Sequence, residues 1–176
     1  GGVKARRHNA AFPAIYCAKE RGANMGLTIS ILIPLLVGGA AARLTTDGFG
    51  LYQTLVKPPL APPAWVFPAV WTVLYILMGI AAYLVSRSQA PTERKRQALI
   101  AYGVQLAVNF VWPLLFFRSQ TYLTAFWWLV LLIAVVAVTI WDFASINRRA
   151  AALMVPYLIW LVFAGYLNLA VYWLNQ

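Results

Sequence analysis

The chain has 176 residues and a net charge of +10, with 62% apolar and 10% charged residues, whereas soluble domains hold roughly 45–50% and about 25%. This excess of apolar surface excludes a soluble fold and predicts an integral membrane protein. The one histidine and one cysteine precede Met25, which excludes disulfide, zinc, axial-haem and His-based nucleophilic sites from the rest of the chain. The chain has four acidic residues, which argues against a catalytic carboxylate pair and against ion-coupled transport.

Residues 1–24 are polar, basic and without helical periodicity. They lack the apolar core of a signal peptide, and an apolar run begins directly after Met25. We therefore interpret residues 1–24 as a leader that precedes the natural start. The alternative is a disordered basic N-terminal arm that binds anionic lipid. The membrane domain is assigned to residues 25–176.

Five apolar segments follow, and each is close to the ~20 residues with which a helix crosses a bilayer. They are residues 26–44, 64–85, 98–117, 122–143 and 150–174. No internal repeat relates them, so the sequence does not indicate an inverted-repeat transporter. The predicted fold is all-α, a bundle of five transmembrane helices in a multi-pass integral membrane protein.

Positive charges alternate along these segments. The loops after the second and fourth segments carry Arg87, Arg94, Lys95, Arg96, Arg148 and Arg149, and the opposite side carries Arg43, Lys57 and Arg118. Because cytoplasmic loops are enriched in Lys and Arg, this asymmetry predicts the N-terminus inside and the C-terminus outside. The charges therefore indicate membrane topology rather than nucleic-acid binding.

The longest loop, residues 45–63, ends in KPPLAPP, which holds four prolines between Pro58 and Pro63. Proline fixes φ and lacks a backbone donor, so this stretch is expected to be extended, stiff and not helical. Two interpretations stay open at this point. The loop is either a rigid arm folded over the mouth of the bundle or a plain tether between two spans.

The third segment carries Gln105 and Asn109 four residues apart, on one helical face that Trp112 and Phe116 extend. Buried amides in a membrane usually face the interior of the bundle. There they serve either as hydrogen bonds between helices or as ligand contacts, and both remain open. Pro113 is expected to kink this helix.

Gly103 and Ala107 lie on the opposite face of the same segment. Small residues four apart let two membrane helices approach closely. If Gln105 points inward, this small-residue face points outward, toward a partner. The pattern predicts a homodimer through the third helix.

Two tryptophans lie deep in their segments. Trp71 and Trp160 are roughly 10–15 Å inside at 1.5 Å per residue, whereas the interfacial belt lies at the span ends. The second segment stacks Trp71, Tyr75 and Met78, and the fifth places Pro156, Trp160, Phe163, Ala164 and Leu167 on one stripe with Asn168 at its flank. We predict a deep aromatic pocket between these two helices.

Three blocks carry a family resemblance: KPPLAPPAWVFPAVWTVLYILMG at 57–79, QLAVNFVWPLLFF at 105–117 and PYLIWLVFAGYLN at 156–168. In this order they resemble the TspO/MBR family, the tryptophan-rich sensory proteins and translocator proteins, also called peripheral-type benzodiazepine receptors. The resemblance implies a five-helix bundle, often dimeric, that binds porphyrins, benzodiazepine-type ligands and, in animals, cholesterol. It implies a pocket under the loop between the first two helices.

Position by position, the resemblance implies lid residues at Tyr52 and Pro62 and ligand contacts at Trp71, Asn109, Trp160 and Ala164. Gln105 and Phe163 are added because they lie on the same inward faces. The eight candidate ligand-binding residues are therefore Tyr52, Pro62, Trp71, Gln105, Asn109, Trp160, Phe163 and Ala164. The resemblance also implies that Trp71 and Trp160 are the catalytic candidates if protoporphyrin is degraded in light.

The chain departs from the family pattern at Leu60, where a tryptophan is common. No Lys or Arg follows Arg149, so Tyr166 and Tyr172 lack the basic partner of the animal cholesterol motif, which argues against sterol binding. Without histidine or cysteine in the spans, a porphyrin is a stacked ligand rather than a fixed, axially ligated cofactor. Its propionates would seek cations, which Arg43 and Lys57 supply at the pocket mouth.

Three functions follow from this combination. The preferred one is a membrane receptor or sensor for porphyrins and similar flat apolar ligands, linked to tetrapyrrole regulation or transport. The alternatives are a light- or oxygen-dependent porphyrin-degrading enzyme and a porphyrin or lipid translocator. No acid–base group lies deep in the spans, so the enzyme receives less support. A translocator needs two access states, and nothing in the sequence marks a hinge beyond Pro113 and Pro156, so it receives less support as well.

Overall fold

The computed structural model describes residues 11–175, except for the side chains of residues 11–21, 23, 47, 49 and 51. Every regular element in this part of the chain is helical, which confirms the predicted all-α bundle. The elements are α1 (Ala11–Leu44), α2 (Thr46–Thr54), α3 (Val66–Ser86), α4 (Thr92–Pro113), a π turn (Leu114–Arg118), α5 (Tyr122–Ile146) and α6 (Arg148–Leu174).

Five of these helices are long and apolar enough to cross a membrane, as predicted. The spans are Asn24–Leu44, Val66–Ser86, Thr92–Arg118, Tyr122–Ile146 and Arg148–Leu174. The third differs most from its prediction, because it begins at Thr92 rather than at residue 98. Its first turns are polar but helical, and hydropathy alone does not detect such a beginning.

Helix α1 begins at Ala11, so residues 11–24 continue the first span as helix. Residues 1–10 lie outside the described part, and the alternative of a disordered basic N-terminal arm stays a prediction. The assignment of residues 1–24 as a leader stays a prediction.

The helices form a ring. Helix α3 packs against α1 and α6, α5 packs against α6 and α4, and α4 returns to α1. Helix α1 is the least buried span, with 11% of its most apolar stretch buried against 28–44% in the others. Its packing against the rest of the bundle lies mainly along α3.

The segment between α1 and α3, residues 45–65, covers one end of the ring, and we call it the lid. Its first half, which was expected to be loop, forms α2 and packs on the π turn. Tyr166 Oη donates a hydrogen bond to Pro59 O at 2.9 Å, and the Asn175 side chain pairs with the backbone of Val56 at 2.9 and 3.0 Å. These contacts with α6 favour the folded arm over the plain tether.

The proline-rich part of the lid is not helical, as expected, but it contains a turn. Ala61 N donates to Pro58 O at 3.2 Å, and Leu60 has φ 70°. Proline followed by a residue of positive φ is the signature of a type II turn, which normally places glycine where Leu60 stands.

Helix α4 ends at Pro113, and the chain continues as the π turn, while the kink at Pro113 stays a prediction. Ser119 N donates to Leu114 O at 2.9 Å, five residues back. A π turn adds a residue to the helical repeat and so changes which side chains face inward. Phe116 and the next residue, Phe117, are consequently both buried.

Candidate functional site

Two cavities lie inside the lid end of the bundle. The side cavity, about 90 Å³, is lined by Gly38, Ala41, Ala42, Thr45, Phe67, Pro68, Trp71, Tyr75, Trp112, Pro113 and Phe117. The lid cavity, about 10 Å³, is lined by Tyr52, Phe67, Trp112, Phe116, Phe117, Ala164, Leu167 and Asn168. Phe67, Trp112 and Phe117 line both, so one layer of aromatic rings separates the two spaces.

The side cavity exists because small residues on α1 face large rings on α3. Residues 38–42 of α1 read GGAAA, and a Cβ added at Gly38 would overlap the ring of Tyr75. Phe67, Trp71 and Tyr75 follow one another at four-residue spacing along one face of α3. Trp71 stacks on Tyr75, with ring centroids 5.4 Å apart.

The lid cavity has aromatic walls but contains buried polar atoms. Neither side-chain atom of the fully buried Asn168 has a hydrogen-bond partner among the described residues, and neither do Trp112 Nε1 and Tyr52 Oη. Burial also raises the pKa of the Tyr52 hydroxyl, so this group stays a protonated donor. Each unpaired buried group costs about 1–3 kcal/mol, so a polar partner in this cavity would be favourable. Other buried atoms without a partner among the described residues lie outside the two cavities, on Tyr102, Gln105, Asn109, Tyr157 and Trp160.

The two predicted pocket tryptophans lie on different packing surfaces. Trp71 lines the side cavity and touches Tyr157 of α6 edge-on at 6.0 Å. Trp160 lines neither described cavity and packs instead on Phe67 at 6.0 Å and Phe163 at 5.5 Å. The rings of α3 and α6 thus interdigitate, and no gap for a flat ligand separates these two tryptophans in this structure.

The two amides of α4 point inward but line neither described cavity. Asn109 Nδ2 donates to Tyr75 Oη at 3.1 Å, and Gln105 Nε2 lies 4.0 Å from Met78 Sδ. Both contacts join α4 to α3 directly below the aromatic layer. In this structure the amides act as contacts between helices.

The remaining candidates spread over the lid end. Tyr52 and Ala164 line the lid cavity, whereas Pro62 is half-buried in the lid and lines neither described cavity. The ring centroids of Phe163 and Tyr166 are 6.3 Å apart, and Tyr166 is the residue that donates the hydrogen bond to Pro59 of the lid. The structure therefore brings Tyr52 and Ala164 together in one cavity and leaves Pro62 and Phe163 at its periphery.

Lys57, a cation expected at the mouth, lies in the lid. Its Nζ is 5.3 Å from the centroid of the Tyr52 ring and donates to Gln53 O at 3.2 Å. Arg43 is exposed near the end of α1.

Sequence analysis missed Phe67 and Phe117 as wall residues. Phe67 precedes Trp71 by one helical turn, so the spacing that selected Trp71 could also have found it. Phe117 faces inward because of the π turn, which no regular periodicity predicts.

The lining residues limit the chemistry of the cavities. Tyr52 and Tyr75 are the titratable side chains among the described residues that line them, and no cluster of three His, Cys, Asp or Glu occurs in the described part. This arrangement can stack a flat ligand and donate hydrogen bonds to it.

Comparison with known proteins agrees with the architecture. The TspO/MBR family profile matches residues 30–174. The chain belongs to the TspO/MBR family. It is 37% identical over 150 residues to the Tryptophan-rich protein TspO of Chlorobaculum tepidum, covering 85% of this chain and 95% of that protein.

Other members of the family span bacteria and animals. The Tryptophan-rich sensory protein of Cereibacter sphaeroides is 42% identical over 124 residues, covering 70% of this chain and 76% of the relative. The Translocator protein of Bos taurus is 35% identical over 147 residues, covering 82% and 87%. Together with its five apolar helices, this TspO/MBR membership makes the chain a multi-pass integral membrane protein.

Proposed function

We propose that this TspO/MBR protein is a membrane receptor that binds porphyrins and similar flat apolar ligands beneath the lid. One observation carries the proposal: the lid cavity has aromatic walls, yet it holds the unpaired polar atoms of Asn168, Trp112 and Tyr52. A ligand with a flat apolar ring and a few polar atoms would stack on the walls and pair with these groups. The free energy spent on burying them unpaired would then contribute to binding.

The cavities must widen to accept such a ligand. Their volumes of about 90 and 10 Å³ fall well below the roughly 300–1,000 Å³ of ordinary ligand sites. Phe67, Trp112 and Phe117 separate them, so moving these rings merges the two spaces. A merged site reaches from Trp71 on α3 to Ala164 on α6 and also includes Tyr52. Movement of Phe67 would expose Trp160, which packs on it, so the site would hold four of the eight candidate residues.

The polar edge of a porphyrin fits the lid end. Lys57 and Arg43 are exposed near the mouth, where each can pair with a propionate carboxylate. Benzodiazepine-type ligands lack such carboxylates, so they would depend on the aromatic walls and on Asn168.

The test is a protoporphyrin titration in the dark, in which quenching of tryptophan fluorescence reports binding. Trp71→Ala and Trp160→Ala should each weaken binding about 5- to 150-fold, because stacking a flat ring on an aromatic side chain contributes ~1–3 kcal/mol. Ala164→Leu should weaken binding by filling the site. The matched control is Trp141→Ala, because Trp141 is 79% exposed at the opposite end. Wild-type affinity in both pocket variants would refute the proposal.

The same titration under illumination tests the enzymatic alternative. Turnover would appear as loss of the porphyrin absorbance in the wild-type protein and its retention in Trp160→Phe. Stable absorbance in both proteins supports binding without degradation.

We also propose that the protein is a homodimer through α4. Gly103 and Ala107 are exposed, and a Cβ added at Gly103 would meet nothing within 4 Å among the described residues. Gly103→Leu should give monomers in detergent with ligand binding retained. Gly39→Leu is the control, because Gly39 is equally open but lies on α1. An intact dimer after Gly103→Leu would exclude this interface.

A further inference from the structure

The side cavity adjoins the proposed ligand site but also reaches the surface of the bundle. Ala42 and Pro68 on its rim are exposed, and each lies two residues inside the end of its span. Two residues of helix correspond to about 3 Å, so the rim lies where lipid headgroups meet acyl chains. The opening between α1 and α3 thus faces the bilayer.

The lining of the side cavity suits an apolar ligand that arrives from the membrane. Thr45 and Tyr75 supply its side-chain hydroxyls, and both are engaged: Thr45 Oγ1 donates to Ala41 O at 2.9 Å, and Tyr75 Oη accepts from Asn109 at 3.1 Å. The cavity therefore offers stacking surface without a strong demand for polar partners. Trp112 Nε1, which borders both cavities, is unpaired among the described residues, whereas the unpaired atoms of Asn168 and Tyr52 border the lid cavity alone.

The route through the lid is obstructed by comparison. Three hydrogen bonds fasten the lid to α6 and the residue after it, one from Tyr166 and two with Asn175. The side opening is bordered by α1, which is the least buried of the five spans. Widening the side opening breaks fewer polar contacts than lifting the lid does.

We propose that the side cavity is also the entrance to the merged site: a flat apolar ligand arriving from the bilayer enters between α1 and α3, stacks first on Trp71 and then extends past the aromatic layer into the lid cavity. Rotation of Phe67, Trp112 and Phe117 opens the passage, and the lid stays closed during entry. This inference rests on the proposed ligand-binding function and adds the path by which the ligand reaches the site.

The experiment measures rates and affinity separately. Protein in vesicles is mixed with vesicles that carry protoporphyrin, and stopped-flow quenching of tryptophan fluorescence follows binding. Ala41→Leu fills the side cavity, because Ala41 is buried and lines it. It should slow association at least tenfold, because the ligand must pass the obstacle to enter. Ala41 also lines the merged site, so the association rate, and not the dissociation constant, is the criterion. Ala40→Leu, one position along on the exposed face of α1, should not change this rate.

Two further variants act independently of that substitution. Phe117→Leu thins the aromatic layer and should speed association about fivefold or more. Tyr166→Phe combined with Asn175→Ala releases the lid and should leave the association rate unchanged. These variants keep the test decisive if Ala41→Leu folds poorly.

The outcomes separate the entrance from the binding function. Faster association after lid release, or unchanged rates in both Ala41→Leu and Phe117→Leu, overturns the entrance while binding itself stands. A normal association rate in Ala41→Leu, even with a loss of affinity, confines the side cavity to the final site and overturns its role as entrance. Absence of saturable binding in the wild-type protein overturns the proposed function and the entrance together.

Discussion

The two halves of this bundle are packed by different means. In the half away from the lid, apolar side chains of mixed size fill the interior, and the fully buried residues there include Met78, Ala81, Val85, Phe143, Ala150 and Met154. In the lid half, large rings enclose two cavities and leave polar atoms unpaired. The two halves therefore differ in how much space their packing leaves.

The largest expected effect breaks the closely packed half. A Cβ at Gly79 would lie 2.5 Å from Ile31 Cα and 2.6 Å from Ser30 O of α1, so Gly79→Ala must displace a backbone. Overpacking of this kind costs about 1–3 kcal/mol, and thermal unfolding in detergent should shift down accordingly. Gly39→Ala, where the added Cβ meets nothing within 4 Å, is the control. Equal stability of the two variants would show that α1 does not seat closely against α3.

A pair of asparagines sharpens the comparison. Asn168 is buried without a partner, whereas Asn109 donates to Tyr75. Asn168→Leu should raise stability, because it removes an unpaired group that costs about 1–3 kcal/mol, and should weaken protoporphyrin binding several-fold. Asn109→Leu should lower stability, since it leaves the Tyr75 hydroxyl unpaired.

Melting curves and titrations of both asparagine variants provide the measurement. The two substitutions remove the same atoms, so size and polarity cancel in the comparison. If Asn168→Leu loses stability as Asn109→Leu does, Asn168 is a structural residue, and the lid cavity loses its main polar contact for a ligand.

The smallest expected effect concerns the mouth. Lys57→Ala should weaken binding of carboxylate-bearing porphyrins about fivefold or less, because an exposed ion pair contributes at most ~1 kcal/mol. Porphyrin esters without free carboxylates should bind equally to both proteins. A loss of affinity shared by the ester would mean that Lys57 acts by holding Tyr52 in place, from 5.3 Å above its ring.

Much of the architecture could be predicted because it depends on local chemistry. Each span must be apolar along its length to cross a bilayer, so composition reveals the five helices and most of their ends. The inward face of α4 could also be predicted, since Gln105 and Asn109 are costly in lipid and must turn toward other helices. Pro113 predicted an irregularity in this helix, because proline cannot donate the hydrogen bond that a regular helix requires.

Tertiary packing decided what lies between those faces. Trp71 and Trp160 both point inward, as depth and spacing suggested, yet α3 and α6 interdigitate and the larger space lies beside α1. The π turn brings Phe117 into the wall and so divides the interior into two cavities. Periodicity specifies the direction of a side chain from its own helix axis, whereas a cavity depends on how residues far apart in the chain fill the space they share.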